Sequence, residues 1–504
     1  MSDLSRREFV LGGLGMVGGL ALGSQIPAMT GWGQRESLIV NDLHSQINAT
    51  RVKRIEHPKG LDDLLKVLRE ATRNNEPVAI AASRHAMGGQ QFVDGGVLID
   101  TRGMCQVLDF DRQTGLVEVE AGIEWPELVE YLLEVQNYAS DAWSIPVKQT
   151  GADRLSLGGA ISANAHGRSL TRAPFVSNIE SLRVVLADGE IATCSRTENP
   201  ELFSLVVGGY GLFGVIHSVV LRLERRGVIQ RKVSLINREG LAEAFQEKID
   251  QGFTLGDFQY VTDEKSPDFL SRGVFSCYRP VPDAKEIPKK QETVSMRAWQ
   301  ELVYLAHVDK ARAFKLYSDF YMRTTDQVYW SDQSQLGAYD DGYHRVVDRR
   351  TQSATTGSEM ITEVNVPRER LSDFLAACAE ALREVKANVI YGTVRLIEPD
   401  TETFLNWAKG QFACVIFNLH MDHTEKGMSD AAIAFRRLID LALERQGSYY
   451  LTYHRWATKE QVLGCYPQFP EFLALKRKYD PAERFESDWY RHYKVMFELG
   501  TLAQ

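Results

Sequence analysis

Cysteine is scarce in this chain, with six in 504 residues. Cys105, Cys194, Cys277, Cys378, Cys414 and Cys465 form no CxxC pair, which excludes a zinc ribbon and a dense disulfide framework. Positive charge is not in surplus either: the formal balance is −9. A general nucleic-acid surface is therefore excluded, a local basic groove aside. No Walker lysine follows a glycine loop, no GxSxG nucleophile elbow occurs, and there is no internal repeat or low-complexity tract. What is present, 44% hydrophobic and 25% charged residues, is the composition of a folded globular protein long enough for two or more domains. Its expected partners are small molecules, with no nucleic acid.

The N-terminus places Ser5-Arg6-Arg7-Glu8-Phe9-Val10 before a short, weakly hydrophobic stretch of Gly, Leu and Ala. This layout resembles a twin-arginine export signal, so residues 1–33 are read as a targeting segment processed between 23 and 33. The protein is then expected to be periplasmic or secreted after folding. No integral membrane domain is expected beyond this segment, whether cleaved or retained as an anchor. Gly13-x-Gly15-x-x-Gly18 matches the dinucleotide fingerprint but has no strand before it. Gly209-x-Gly211-x-x-Gly214 also matches, with the helix before and the strand after, the reverse of a Rossmann phosphate turn.

Along the chain, Leu61, Leu64, Leu65 and Leu68 have helical spacing, and PVAIAA, GVLIDT and LVEVEAG read as short strands. ESLRVVLADGEIATC reads as strand, Asp-Gly turn, strand. After about residue 228 the rhythm changes to longer strands and amphipathic helices, the last of them stopped at Gly447. Two glycine-bearing turns stand out, AIAASRHAMGGQQ at 79–91 and LSLGGAISANAHGRS at 155–169. Both offer backbone N–H groups suited to an anionic phosphate linker.

SRHAMGGQ, LGGAISANAHGRS, ESLRVVLADGEI, GGYGLFGVI and the C-terminal KYDPAERFESDW occur in one order. In that order and spacing they resemble the FAD-linked oxidases with the vanillyl-alcohol-oxidase type fold and a PCMH-type FAD-binding domain. The resemblance runs from about residue 40 to the end. It is nearest to the aldonolactone, alditol and decaprenylphosphoryl-ribose oxidases. It implies an α+β, two-domain flavoprotein: an FAD-binding domain of two α/β subdomains at 37–228, an antiparallel-sheet substrate (cap) domain at 229–478, and a segment at 479–504 returning to the FAD domain.

By resemblance, His85 stands where many members bond the flavin covalently through its 8α-methyl group. Ala82, Ser83, Arg84, Ala86 and Gln90 would line the pyrophosphate turn, although the family often has glycine where Ala82 and Arg84 stand. Gly158, Gly159, Ser162, Asn164 and His166 would run along the flavin, His166 as a packing residue. Gly209, Gly214 and Ile216 would belong to the adenine side. No cysteine lies in GADRLSLGGAISANAHG, so one covalent bond at most is expected.

Side chains alternate faces along a strand. In FACVIFNLH, parity puts Cys414, Asn418 and His420 on one face and Ala413, Val415, Phe417 and Leu419 on the other. Thr393 pairs with Arg395 in YGTVRLI, and Glu363 with Asn365 in MITEVNVP. The family comparison maps a Glu or Gln, an Arg and a His above the flavin onto Glu363, Arg395 and His420. Cys414 resembles the active-site cysteine of the decaprenylphosphoryl-ribose oxidases, but also reads as a buried small hydrophobe. Where several members have a lysine near flavin N1, resemblance offers Tyr453, whereas parity in SYYLTYHRW separates His454 from it; both stay candidates.

The expected reaction is oxidation of a C–OH group of a sugar, aldonolactone or polyol by hydride transfer to flavin N5. His420 or Glu363 would be the base and Arg395 the clamp, with electrons passing to oxygen or a periplasmic acceptor. Amine or C=C chemistry, as in cytokinin dehydrogenases or sterol reductases, and a non-enzymatic FAD-binding protein are the alternatives. His420-x-x-His423 on a strand points two ways, so no metal is expected from that pair.

Overall fold

The computed structural model describes residues 38–284, 286–337 and 342–498. The signal segment at 1–33 lies outside them. Six cysteines are described, all as free thiols, and no helix among the described residues is long and apolar enough to cross a membrane.

Near the N-terminus a parallel three-stranded sheet sets Val97–Asp100 between Arg54–Glu56 and Val78–Ala81. Leu61–Arg73 covers it: Leu64, Leu68 and Ala71 recur at i, i+4 and i+7 and are buried, with Asp62 and Asp63 at the positive helix end and Arg73 at the negative one. A second, antiparallel sheet of five strands follows, with Val215–Arg222 between Ile179–Val185 and Leu116–Glu120. Its hairpin from Ile179–Val185 to Ile191–Ser195 turns at Gly189, whose φ of 89° suits a residue without Cβ. The helix Trp125–Val135 that packs nearby begins in a reciprocal cap between Glu124 and Glu127.

The second half of the chain builds an antiparallel sheet of eight strands. Within it Phe412–Asp422 lies between Gly357–Pro367 and Val389–Ile397. Directly opposed residues share a face, so the register puts Glu363 with Ile416 and Thr393, Asn365 with Cys414 and Arg395, and Glu359 with His420. On the other face Val415, Phe417 and Leu419 are buried in the main core. The helices Leu371–Glu384 and Glu425–Leu443 pack on these strands, and their apolar stripes close that core. The polar face is left turned toward the first half of the molecule.

The C-terminal segment crosses back. Phe485 pairs in parallel with Val78, whose N–H donates to the Arg484 carbonyl while the Glu486 N–H donates to the Val78 carbonyl. The Asp488 N–H donates to the Phe92 carbonyl. Both halves thus meet around the Val78–Ala81 strand.

Candidate functional site

One long cleft runs between the two halves, enclosing about 1440 Å³ of empty space with its open mouth included. Its lining is drawn from both halves, from the turn after Val78–Ala81 through Leu157–Ser162 to Ile216 on one side and Arg395 and Tyr453 on the other. Its first wall is the turn after Val78–Ala81. Ala82, Ser83, Arg84, His85, Ala86 and Gln90 all line it. Arg84 has φ of 58°, the left-handed region that glycine enters freely, which is why a glycine is at home in this position of the resembling family. The chain holds it there by a bond from the Leu43 N–H to the Arg84 carbonyl. The backbone N–H groups of Ser83, Arg84 and Ala86 donate no hydrogen bond among the described residues. A row of unengaged amides beside a cleft is an anion cradle.

The second wall is Leu157–Ser162, a short helix where the sequence suggests a turn. Ser156 caps it, accepting from the Gly159 N–H at 3.2 Å. At Gly158 the helix runs close against Ala121: a Cβ there would sit 3.0 Å from the Ala121 carbonyl oxygen. Gly158, Gly159, Ser162 and His166 line the cleft, as do Gly214 and Ile216 at its far end. Gly214 has φ of 145°, and a Cβ there would fall 2.5 Å from Val184 Cγ1.

Asn164 and Gly209 do not line the cleft. Asn164 is a strut: its Nδ2 donates to Asp400 Oδ2 at 2.8 Å, its Oδ1 accepts from the Val176 N–H, and its carbonyl accepts from Trp407 Nε1. At Gly209 the backbone passes so close to the Leu205 carbonyl that a Cβ would clash at 1.9 Å. Both positions shape the wall from behind.

Over the cleft stands the polar face of the large sheet. Arg395 lines it with Tyr453 and His166. Glu363 does not reach the surface; it is fully buried behind His166, with Oε1 2.8 Å from His166 Nε2, and it accepts from the Tyr453 hydroxyl at 3.5 Å. This close approach of Nε2 to the carboxylate leaves Nδ1 as the ring's second nitrogen. That Nδ1 is buried without a partner, as are Arg395 Nε and Thr150 Oγ1, and all three residues line the cleft. Unpartnered polar atoms on residues that line a cleft are available to a ligand that can satisfy them. Burial and the Glu363 charge push the Tyr453 phenol well above its ordinary pKa, so it stays protonated. Burial likewise raises the Cys414 thiol, which rules out a thiolate nucleophile.

His420 and His454 are not brought to this site. His420 pairs with Glu359, four residues along the strand from Glu363 and about 13 Å away at 3.3 Å per residue. His454 is buried, stacked on Phe435 at 4.8 Å and hydrogen-bonded through Nε2 to Thr362 Oγ1. Only Ser448–Tyr449 is a strand, so parity does not extend to residues 453 and 454. Sequence reasoning missed His44, Gln149, Thr150 and Tyr210 in the lining. Tyr210 sits inside GGYGLFGVI, where only the glycines and Ile216 are singled out; His44, Gln149 and Thr150 sit in no recognisable motif, and only the fold brings them in.

Two family profiles match the chain: residues 52–195 match an FAD binding domain, and residues 286–493 match D-arabinono-1,4-lactone oxidase. The chain is 26% identical over 443 residues to L-gulono-1,4-lactone dehydrogenase of Mycobacterium tuberculosis, covering 87% of this chain and 95% of that one. It is 32% identical over 164 residues to cytokinin dehydrogenase 3 of Oryza sativa subsp. japonica, 32% of this chain and 30% of that one. An uncharacterised oxidoreductase of Rhodococcoides fascians is 32% identical over 166 residues. The last two matches span about a third of the relatives' lengths.

Proposed function

The chain belongs to the FAD-linked oxidases with a PCMH-type, vanillyl-alcohol-oxidase-like FAD-binding domain, and from that premise we propose that it oxidises a C–OH group of an aldonolactone, sugar or polyol. The observation that carries this reading is the buried His166–Glu363 pair beside Arg395, over a cleft lined by both glycine-bearing segments. FAD, when bound, supplies the hydride acceptor. His166 Nδ1 takes the hydroxyl proton, Glu363 fixes the tautomer and steadies the imidazolium, and Arg395 holds the developing alkoxide. Tyr453 stands where a lysine would be in several relatives and donates to Glu363 rather than carrying charge.

The likeness to the lactone dehydrogenase runs through 87% of the chain, against 32% for the cytokinin dehydrogenase, which favours a lactone or sugar over an amine. Oxygen or a periplasmic acceptor takes the electrons, after export directed by residues 1–33. The flavin is held covalently through His85, which lines the same cleft. Two experiments test this. Acid precipitation should leave yellow colour in the wild-type pellet and release it from His85→Ala; colour in the wild-type supernatant refutes the link alone. Anaerobic addition of L-gulono-1,4-lactone, aldoses and alditols should bleach the flavin band with at least one of them, and failure of all three classes refutes the substrate reading.

A further inference from the structure

His420 is left outside the cleft with a different set of neighbours. Glu359, on Gly357–Pro367, is 2% exposed, and its Oε1 lies 3.1 Å from His420 Nδ1 and 2.8 Å from His307 Nε2. His307 arrives from the last turn of the helix Met296–Val308. The three donor atoms all lie within 4.8 Å of one another. His307 Nδ1 is 2.8 Å from the Val303 carbonyl, which can only accept, so Nδ1 carries the proton. That bond fixes the ring with Nε2 directed at Glu359 Oε1, the same oxygen that faces His420 Nδ1. A proton or a metal ion must bridge each of these short nitrogen–oxygen contacts.

We infer that His307, Glu359 and His420 form a binding site for a divalent transition ion of the zinc type. Two imidazoles and one carboxylate are a donor set that Zn²⁺ accepts, at about 2.0–2.2 Å from each, which spaces the donors about 3–3.5 Å apart. The bond from His307 Nδ1 to a backbone carbonyl is the outer contact that fixes a metal-binding tautomer. Three protein ligands leave a coordination position open, and His420 is the exposed edge at which solvent completes it. The pair His420-x-x-His423 has no part in this: His423 Nε2 is engaged with Ser358 Oγ at 2.7 Å. The ion would lie beside the cleft without entering it. His44, which lines the cleft, packs edge-on to His85 at 5.8 Å and senses the Glu359 charge from its other side.

A second cluster, His166, Glu363 and Cys414, has its donors equally close but belongs to the proposed reaction centre. The experiment must therefore separate a nitrogen and oxygen site from one containing sulfur. Flavin-loaded wild-type protein, stripped of metal with chelator, is titrated with ZnCl₂ by calorimetry, and the one-equivalent complex is examined by zinc-edge X-ray absorption. The expected result is one ion per chain, with two imidazoles and oxygen donors and no sulfur. His307→Ala, His420→Ala and Glu359→Gln should each weaken binding more than the roughly 10–100-fold typical of losing an outer contact, while the flavin spectrum stays unchanged. No zinc binding by the wild type overturns the proposal, and the cation is then the imidazolium proton. A sulfur signal, or unweakened binding in both histidine variants, overturns it too. Because the absorption spectrum is read on the wild type, a variant that fails to fold leaves the decision intact.

Discussion

Arg395 and His166 divide the work of the proposed reaction at the scale of single side chains. Arg395 Nε is buried without a partner, so its guanidinium is already desolvated and interacts strongly with charge that develops beside it. Replacing it by Met should cut kcat/KM for whichever lactone or polyol bleaches the flavin by about 10²–10³, the usual cost of a lost transition-state donor, with flavin content unchanged. An equal loss in flavin content would instead make Arg395 a cofactor anchor. Glu363→Gln keeps the shape of the pair but removes the charge that steadies His166. The expected result is a lower kcat with little change in KM, read by steady-state kinetics across pH. His454 shows the opposite use of a histidine. Burial pulls its pKa to about 3, whereas the unfolded chain titrates near 6.5. Above 6.5 both states are neutral and pH has no effect through this group. Below it the unfolded chain binds a proton the folded one refuses, so stability falls by up to about 1.4 kcal/mol per pH unit. His454→Phe, which keeps the stack on Phe435, should flatten the decline in denaturant midpoint between about pH 6.5 and 5; an unaltered slope would place the acid sensitivity elsewhere.

Elements of the fold were legible wherever a strand is long and half of its residues are apolar. The parity of Phe412–Asp422 separates Val415, Phe417 and Leu419 from Cys414, Asn418 and His420, and the observed register agrees. Parity names a face and gives no position along it, which is why His420 shares the face of Glu363 yet lies far down the strand. In the stretch 450–456 the strand itself is absent, so alternation could not choose between Tyr453 and His454, while resemblance pointed to the residue that lines the cleft. The role of His166 was hidden for a related reason: its carboxylate partner is 197 positions away in sequence and is set by tertiary packing alone. Gln90 is one of the ties on the 450–456 loop. Its Oε1 accepts from the Gly88 N–H at 3.0 Å and its Nε2 donates to the Thr452 carbonyl at 2.5 Å. One side chain thus ties the anion turn to the loop bearing Tyr453. Gln90→Leu should loosen both, lowering flavin retention on gel filtration and turnover together; loss of one without the other would mean the two segments are held independently.

Across the whole molecule, the cleft depends on a segment that the chain supplies last. Tyr210 lines the cleft and packs on Trp489 at 4.8 Å, and Trp489 in turn packs on Tyr493 and Phe469. The same segment hydrogen-bonds to Val78 and Phe92 on either side of the anion turn. Arg455, in the 450–456 loop, donates to the Asp488 carbonyl at 2.9 Å. The last helix, Asp488–Glu498, therefore buttresses three walls of one cleft at once. Trp489 is fully buried, and truncating such a residue to Ala costs about 3–5 kcal/mol through lost burial and the cavity left behind. A purely local loss would lower the unfolding temperature and leave FAD affinity alone. Since Trp489 backs Tyr210, the expected result for Trp489→Ala is a lower unfolding temperature together with weaker retention of FAD, followed by flavin fluorescence on dilution in a His85→Ala background where no covalent bond masks release. Unchanged retention in a destabilised double variant would show that the C-terminal helix holds the core together without shaping the cofactor cleft.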